Sequence, residues 1–230
     1  ANSIDANAIE VVNGAKISAG VICSSGGFKA RPFDVSPLPL TDCPPVPDPL
    51  AERQPPTFGG CNYSNLDISA LAILRPGVYC GGLKIRNSAV VTALPGIYII
   101  KDGLFEITGN ATLLGENVGF YLTGAFSKTK FGTSTTISLS APKSGPMAGI
   151  LVFEDRNSLP GREFEISSKD ARKLVGTLYL PKGKLLVKGV SQFGLSSQWT
   201  SIIAHEVEIA KGPVLTLNSD YGASDIPVPA

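Results

Sequence analysis

Leu74-Arg75-Pro76-Gly77-Val78-Tyr79 returns 19 residues later as Ala93-Leu94-Pro95-Gly96-Ile97-Tyr98, and this recurrence decides the fold. Its Gly-apolar-aromatic core comes back at Gly119-Phe120-Tyr121. Looser copies stand at Gly149-Ile150-Leu151-Val152-Phe153 and Gly176-Thr177-Leu178-Tyr179. A short repeating unit cannot bury its apolar face alone, but a stack of such units makes a continuous core.

A second element travels with the first. Three-residue alternations occur at Leu83-Lys84-Ile85, Phe105-Glu106-Ile107, Ile137-Ser138-Leu139, Phe164-Glu165-Ile166, Leu185-Leu186-Val187, Val207-Glu208-Ile209 and Leu215-Thr216-Leu217. Six of the seven middle residues are polar or charged, and a period of two with a polar middle buries one face and wets the other. Turn chemistry follows at Thr108-Gly109-Asn110, Lys188-Gly189 and Lys211-Gly212. A short third strand reads in Val90-Val91-Thr92 and Ala111-Thr112-Leu113-Leu114.

Strands this short do not sustain a hairpin meander, whereas they suit a coil that stacks on itself. The expected fold is all-β: a right-handed parallel β-helix of about eight coils, one domain over residues 1–230. A sandwich does not predict that the Gly-apolar-Tyr unit and the alternating triplet recur in step. Residues 31–56 hold nine of the 18 prolines, so 24–60 reads as a Pro-rich, disulfide-bonded excursion from the repeat. Inside it Asp48-Pro49-Leu50-Ala51-Glu52-Arg53 is the best helical candidate, with Asp48 as N-cap and Pro55-Pro56 as stop.

Composition narrows the function classes. Charged residues are 17% of the chain, against about 25% in an ordinary soluble protein. The 25 glycines and 18 prolines among 230 residues stay below the roughly 25–30% that marks low complexity. A net charge of +1 argues against a nucleic-acid footprint or an electrostatic membrane anchor. The longest apolar runs resemble Ala70-Leu71-Ala72-Ile73-Leu74, far short of the roughly 20 residues of a spanning helix. Ala1-Asn2-Ser3 carries no signal-peptide pattern, so a mature exported chain or a piece of a longer anchored one is expected. Asp225-Ile226-Pro227-Val228-Pro229-Ala230 reads as an extended tail.

Cys23, Cys43, Cys61 and Cys80 form no CxxC pair, and His205 is distant in sequence, so a zinc site is not indicated. An even count in the first 80 residues reads as two disulfides in an oxidising compartment. Of the three possible pairings, the pattern shared by Gly20-Val21-Ile22-Cys23 and Gly77-Val78-Tyr79-Cys80 favours Cys23–Cys80 with Cys43–Cys61, the others staying open.

Leu74-Arg75-Pro76-Gly77-Val78-Tyr79-Cys80-Gly81-Gly82-Leu83, followed by Pro95-Gly96-Ile97-Tyr98-Ile99-Ile100, resembles the extracytoplasmic region of TadG-like proteins of the Flp (tight-adherence, Tad) pilus assembly group. Cys43-Pro44-Pro45-Val46-Pro47-Asp48-Pro49-Leu50, Ala141-Pro142-Lys143-Ser144-Gly145-Pro146 and Leu217-Asn218-Ser219-Asp220-Tyr221 extend the resemblance from about Val21 to the end. Two family habits are thin here: the N-terminal membrane anchor, and the Gly-Asn turns, found mainly at Gly109-Asn110. The resemblance implies a periplasmic or extracellular role near bacterial pili, with envelope or pilus proteins and surface polysaccharide as partners. It brings no catalytic residue, cofactor or metal with it.

Because the β-helix is shared with pectate lyases and polygalacturonases, a carbohydrate-active enzyme or carbohydrate-binding module is the alternative. Such enzymes need facing carboxylates or a calcium-binding cluster with a base. Glu154-Asp155-Arg156 reads as a solvated loop end, its two carboxylates facing opposite ways along a strand. Asn218, Asp220 and Asp225 read as a terminal turn rather than a calcium site. His205 reads as a surface strand residue and Trp199 as a rung or cap. No GxSxG, HExxH, phosphate-binding or dinucleotide motif occurs, and Gly59-Gly60 and Gly81-Gly82 are turn glycines. Asn62-Tyr63-Ser64 and Asn110-Ala111-Thr112 fit the glycosylation sequon. Lys128-Thr129-Lys130 and Lys182-Gly183-Lys184 are small basic spots without aromatics. An ice- or crystal-binding face wants a flat threonine ladder, of which Thr133-Ser134-Thr135-Thr136 is the only local run. The outward column is expected to be Lys84, Glu106, Ser138, Glu165, Leu186, Glu208 and Thr216, with no two glutamates on consecutive rungs.

Overall fold

A computed structural model describes residues 1–189 and 192–229. The last tail residue, Ala230, lies outside the described residues. Among those described, the regular structure is strand throughout, save one 3-10 turn at Tyr221–Ala223. The chain is a parallel β-solenoid of about nine turns. It divides into two compact units, residues 1–52 with 210–212, and residues 53–209 with 213–230.

In the first unit Ile9–Glu10 lies parallel to Phe28–Lys29 and Ile17–Ser18 to Val35–Ser36, and Cys23 bridges Leu40. Val11, Ile22 and Val35 form its small core. The Pro-rich stretch therefore joins the repeat as far as Leu40, a correction to the excursion expected over 24–60. Pro32, Pro37 and Pro39 fit because they stand outside the strands, where a missing N–H costs no ladder bond. The helix expected at 48–53 is also corrected. Leu50 N donates to Asp48 Oδ1 at 2.9 Å and Ala51 N to Asp48 O at 3.3 Å, giving a turn. Six residues before Pro55-Pro56 are too few to repay helix nucleation.

The second unit stacks its strands in three faces. The first face runs from the end of Tyr63–Ile68 through Gly77–Ile85, Leu104–Ile107, Lys128–Phe131 and Glu163–Ile166 to Lys184, Leu185, Leu186 and Val187. The second runs through Ala72–Leu74, Val90–Ala93, Thr112–Gly115 and Thr136–Ser140 to the start of Asp170–Lys188. The third runs from Gly77 through Gly96–Lys101, Val118–Thr123 and Ile150–Glu154 to Thr177, Leu178 and Tyr179. The two outer residues of each alternating triplet point inward, so Leu83, Ile85, Phe105, Ile107, Phe164 and Ile166 all lie in one core.

The recurrent Pro-Gly-apolar-Tyr motif has a physical cause. Proline fixes the corner, and the tyrosine turns back to bind the carbonyl of the residue before it. Tyr79 Oη donates to Arg75 O, and Tyr98 Oη to Leu94 O at 2.6 Å. A buried phenol needs such a partner, and burial raises both hydroxyls above their ordinary pKa. The rings stack along the axis, Tyr63 on Tyr79 at 4.7 Å, Tyr79 on Tyr98 at 6.0 Å and Tyr98 on Phe120 at 5.2 Å. The third copy slips: Phe120 pairs with Tyr98, and Tyr121 with Ile99. A one-residue slip sends every side chain to the opposite face, so Tyr121 leaves the interior.

The disulfides join Cys23 to Cys43 and Cys61 to Cys80, with Cα atoms 6.0 and 5.7 Å apart. This corrects the favoured pairing. Each bond closes a loop of about one coil, with sequence separations of 20 and 19, and neighbouring rungs about 4.8 Å apart lie within disulfide reach. The Gly-apolar-apolar-Cys pattern that the two cysteines share marks a like local position and does not assign neighbours. Non-reducing peptide mapping is expected to recover Cys23–Cys43 and Cys61–Cys80. Replacing Cys61 and Cys80 by serine is expected to cost about 3 kcal/mol in denaturant unfolding, the entropy of a loop that size.

Gly96 has φ +142°, and a Cβ there would stand 2.4 Å from Pro76 Cγ of the coil below. Gly96→Ala is expected to cost about 2–3 kcal/mol by urea denaturation, while Gly59→Ala, with open space around it, changes stability by less than about 0.5 kcal/mol.

Candidate functional site

The outward sides of the three faces differ in chemistry. On the first, strand register aligns Asp67, Lys84, Glu106, Lys130, Glu165 and Leu186 in one column. Four members of the expected column, Lys84, Glu106, Glu165 and Leu186, are thus placed together. Two expectations are corrected. Ser138 belongs to the second face, and Lys130 holds its place; Thr216 follows Val214–Leu215, which pairs with Gln192–Phe193 instead. Lys130 escapes the sequence pattern because Lys128-Thr129-Lys130 reads as a basic spot, although the alternation of Thr129-Lys130-Phe131 is the usable signal.

Charge alternates along this column, and the pairs close. Arg86 meets Asp67 at 2.7 Å, Lys130 meets Glu106 at 3.1 Å and Lys188 meets Glu165 at 2.9 Å. Lys184 reaches Glu163 at 3.2 Å, Glu208 at 2.9 Å and Glu206 at 4.0 Å. Its hydrogen bonds to Glu208 and Glu163 raise the ammonium above its usual pKa. Burial pushes the Glu165 carboxyl up, but the Ser167 hydroxyl and Lys188 outweigh it and hold the group below the ordinary range. His205 is exposed on the neighbouring strand Thr200–Ala210.

The outward side of the third face is covered. Tyr121, Phe153 and Tyr179 pack edge to face at 5.3 and 5.1 Å, and Phe58 lies over Tyr121 at 6.2 Å. Arg156 stands 5.2 Å over the Phe153 ring and 5.1 Å over that of Tyr179. It donates from Nη1 to Arg53 O at 2.8 Å, and Arg53 in turn donates to the carbonyls of Pro146 and Ala148 at 3.1 and 3.2 Å. These bonds strap residues 53–58 across the aromatic row.

Glu154-Asp155-Arg156 is therefore not a solvated loop end. Glu154 is 0% exposed, because the strand Ile150–Glu154 continues to its last residue under Arg162 and Gly183. Its carboxylate accepts from Arg162 Nη2 at 3.2 Å and from Lys182 N at 3.0 Å. Burial raises its pKa, opposed by those two donors. A Cβ on Gly183 would stand 2.3 Å from the Phe164 ring, so a glycine is what lets this strand close over the pair. Asp155 has separate partners, Thr123 Oγ1 at 2.6 Å and Asn157 N at 2.9 Å, which hold it below its ordinary range against the opposing effect of burial.

The remaining sequence candidates are scattered. Asn218 Nδ2 donates to Ser197 O at 2.7 Å, and Asp225 pairs with Lys143. Among the described residues, no group of three or more His, Cys, Asp or Glu side chains is placed to hold a metal ion. Trp199 is fully buried in the core and tilted against Tyr221 at 5.5 Å. Asn62 is occupied, its Oδ1 accepting from Val78 N at 2.8 Å, while Asn110 lies in an exposed turn. Of Thr133-Ser134-Thr135-Thr136, Thr135 is buried against Gly132 O and only Thr136 joins an outward column. An enclosed cavity of about 20 Å³ lies inside the coil, between residues such as Phe131, Phe164, Leu139 and Leu174. Thr129 is its one polar side chain, so it lacks the partners that hold a water.

No family model, curated protein or solved structure matches this chain.

The two kinds of ion pair differ in weight. Arg162→Met leaves Glu154 buried and unpaired and is expected to cost about 3–5 kcal/mol in chemical denaturation. Lys130→Met, on the solvated ladder, is expected to cost under about 1 kcal/mol.

Proposed function

We propose that the chain is a non-enzymatic structural or adhesive β-solenoid module of a bacterial cell envelope, exported to the periplasm or beyond and working beside Flp-type pilus proteins. The observation that carries this reading is the ion-paired first face. Glu106, Glu163, Glu165, Glu206 and Glu208 each lie within 4.0 Å of a lysine. Each of these carboxylates faces an ammonium group, whereas a glycosidase needs two carboxyl groups facing one another across the scissile bond. Glutamates of one column are also separated by a lysine rung, Lys130 standing between Glu106 and Glu165.

Two disulfides support an oxidising compartment. Among the described residues no helix is long and apolar enough to cross a membrane. The pilus association is supported by the resemblance over Leu74–Leu83 and Pro95–Ile100. Mechanically, such a module acts as a rigid spacer that presents side chains at a fixed repeat of about 4.8 Å per coil.

The carbohydrate-binding alternative is favoured by one observation: on the second face Ile73, Thr92, Leu114 and Ser138 stand in register with no charge among them. In a reducing-sugar and unsaturated-product screen over neutral and acidic polysaccharides, with and without calcium, no turnover is expected. Turnover that disappears in Glu163→Gln or Glu165→Gln would overturn the non-enzymatic reading. Expressed in a piliated bacterium, the chain is expected in the envelope or periplasmic fraction with both disulfides formed.

A further inference from the structure

We infer that the outward side of the second face docks a neutral, hydroxyl-bearing β-linked polysaccharide, which rests on the envelope-module reading and names its ligand. Two columns run along this face. Register places Val90, Thr112 and Thr136 in one column and Ile73, Thr92, Leu114 and Ser138 in the other, with Leu71 just before the strand that carries Ile73. Four successive rungs thus present seven side chains in register, and Leu71 beside them, without a charge. Charge returns only on the next rung, at Asp170 and Lys173.

Exposure is high where the aliphatics stand, 83% for Leu71, 65% for Ile73, 42% for Val90 and 37% for Leu114. The hydroxyls of Thr92, Thr112, Thr136 and Ser138 take no protein partner among the described hydrogen bonds. A flat array of aliphatic carbons and uncommitted hydroxyls, one rung every 4.8 Å or so, suits a polymer whose C–H faces and hydroxyls recur at about one sugar unit. The other two outward sides are already engaged, one by ion pairs and one by the 53–58 strap.

Charge and area select this ligand. Nucleic acids, acidic polysaccharides and anionic lipids find no cation over these rungs. Four rungs by about three residues offer roughly 200 Å². A stable protein partner, a second copy included, takes about 800 Å² per side. A long polymer needs no large single footprint, since many modules engage it at once and gain avidity.

The test uses the full oxidised chain and insoluble cellulose and chitin as probes in a pull-down. The wild-type chain is expected to be retained. Thr92→Lys combined with Thr112→Lys should weaken retention at least about tenfold, with an unchanged melting temperature. Glu106→Gln on the first face should be retained as wild type. Absence of retention on both probes, or retention that the lysine pair leaves intact, would overturn the inference. So would a concentration-dependent dimer that the lysine pair dissolves, which would assign the face to a second copy, or retention on pectin alone. A chain that misses both probes yet still fractionates with the envelope loses this inference and keeps the module reading.

Discussion

Each coil of this protein satisfies its backbone only through the coils above and below it. Most strands are two to six residues long and lie parallel to strands of the neighbouring coils, so outside the turns their N–H and C=O groups find partners along the axis. Parallel stacking at about 4.8 Å per rung then sets everything else. Side chains at like register become neighbours, and interior columns of Leu, Ile, Val and Phe merge into one core. The same spacing lines up phenol rings from Tyr63 to Tyr98 and continues the row into Phe120.

That spacing also explains which covalent and charged links are allowed. A disulfide can reach one rung and no further, which is why both bonds have sequence separations of one coil, 20 and 19 residues. Like charges one rung apart repel across a few ångströms, and opposite charges attract. The column Asp67, Lys84, Glu106, Lys130, Glu165 obeys that rule along its whole length. Each such pair contributes little alone, yet alternation lets a charged face exist on a stacked fold without strain.

The three outward sides follow from what the coil-to-coil insertions cover. Residues 53–58, held by Arg53 to the carbonyls of Pro146 and Ala148, lie over the aromatic row of the third face. Next to that row Glu154 is buried under Arg162 and Gly183, and Arg162 is then obligatory, since a lone buried carboxylate is costly. The second face carries no insertion and no charge over four rungs, leaving its hydroxyls and aliphatics open. The second unit thus carries one ion-paired, one sealed and one neutral outward side.

The amino-acid pattern alone determined the all-β class, the stacked coil and the oxidised cysteines. These rest on local signals: period-two alternation in triplets such as Phe105-Glu106-Ile107, the Pro-Gly corner, and an even count of four cysteines. What only the tertiary structure decided was adjacency. Coil length varies from 17 residues between Asp67 and Lys84 to 35 between Lys130 and Glu165, so no fixed offset assigns rungs. Hence Lys130 and not Ser138 stands between the glutamates, Cys23 meets Cys43 and not Cys80, and a one-residue slip turns Tyr121 outward. Glu154 was equally illegible, because its burial comes from Arg162 and Gly183, brought over it by a loop and the next coil. Alternation is written in neighbouring residues; register is a property of strands far apart in the chain, fixed when packing selects which of them touch.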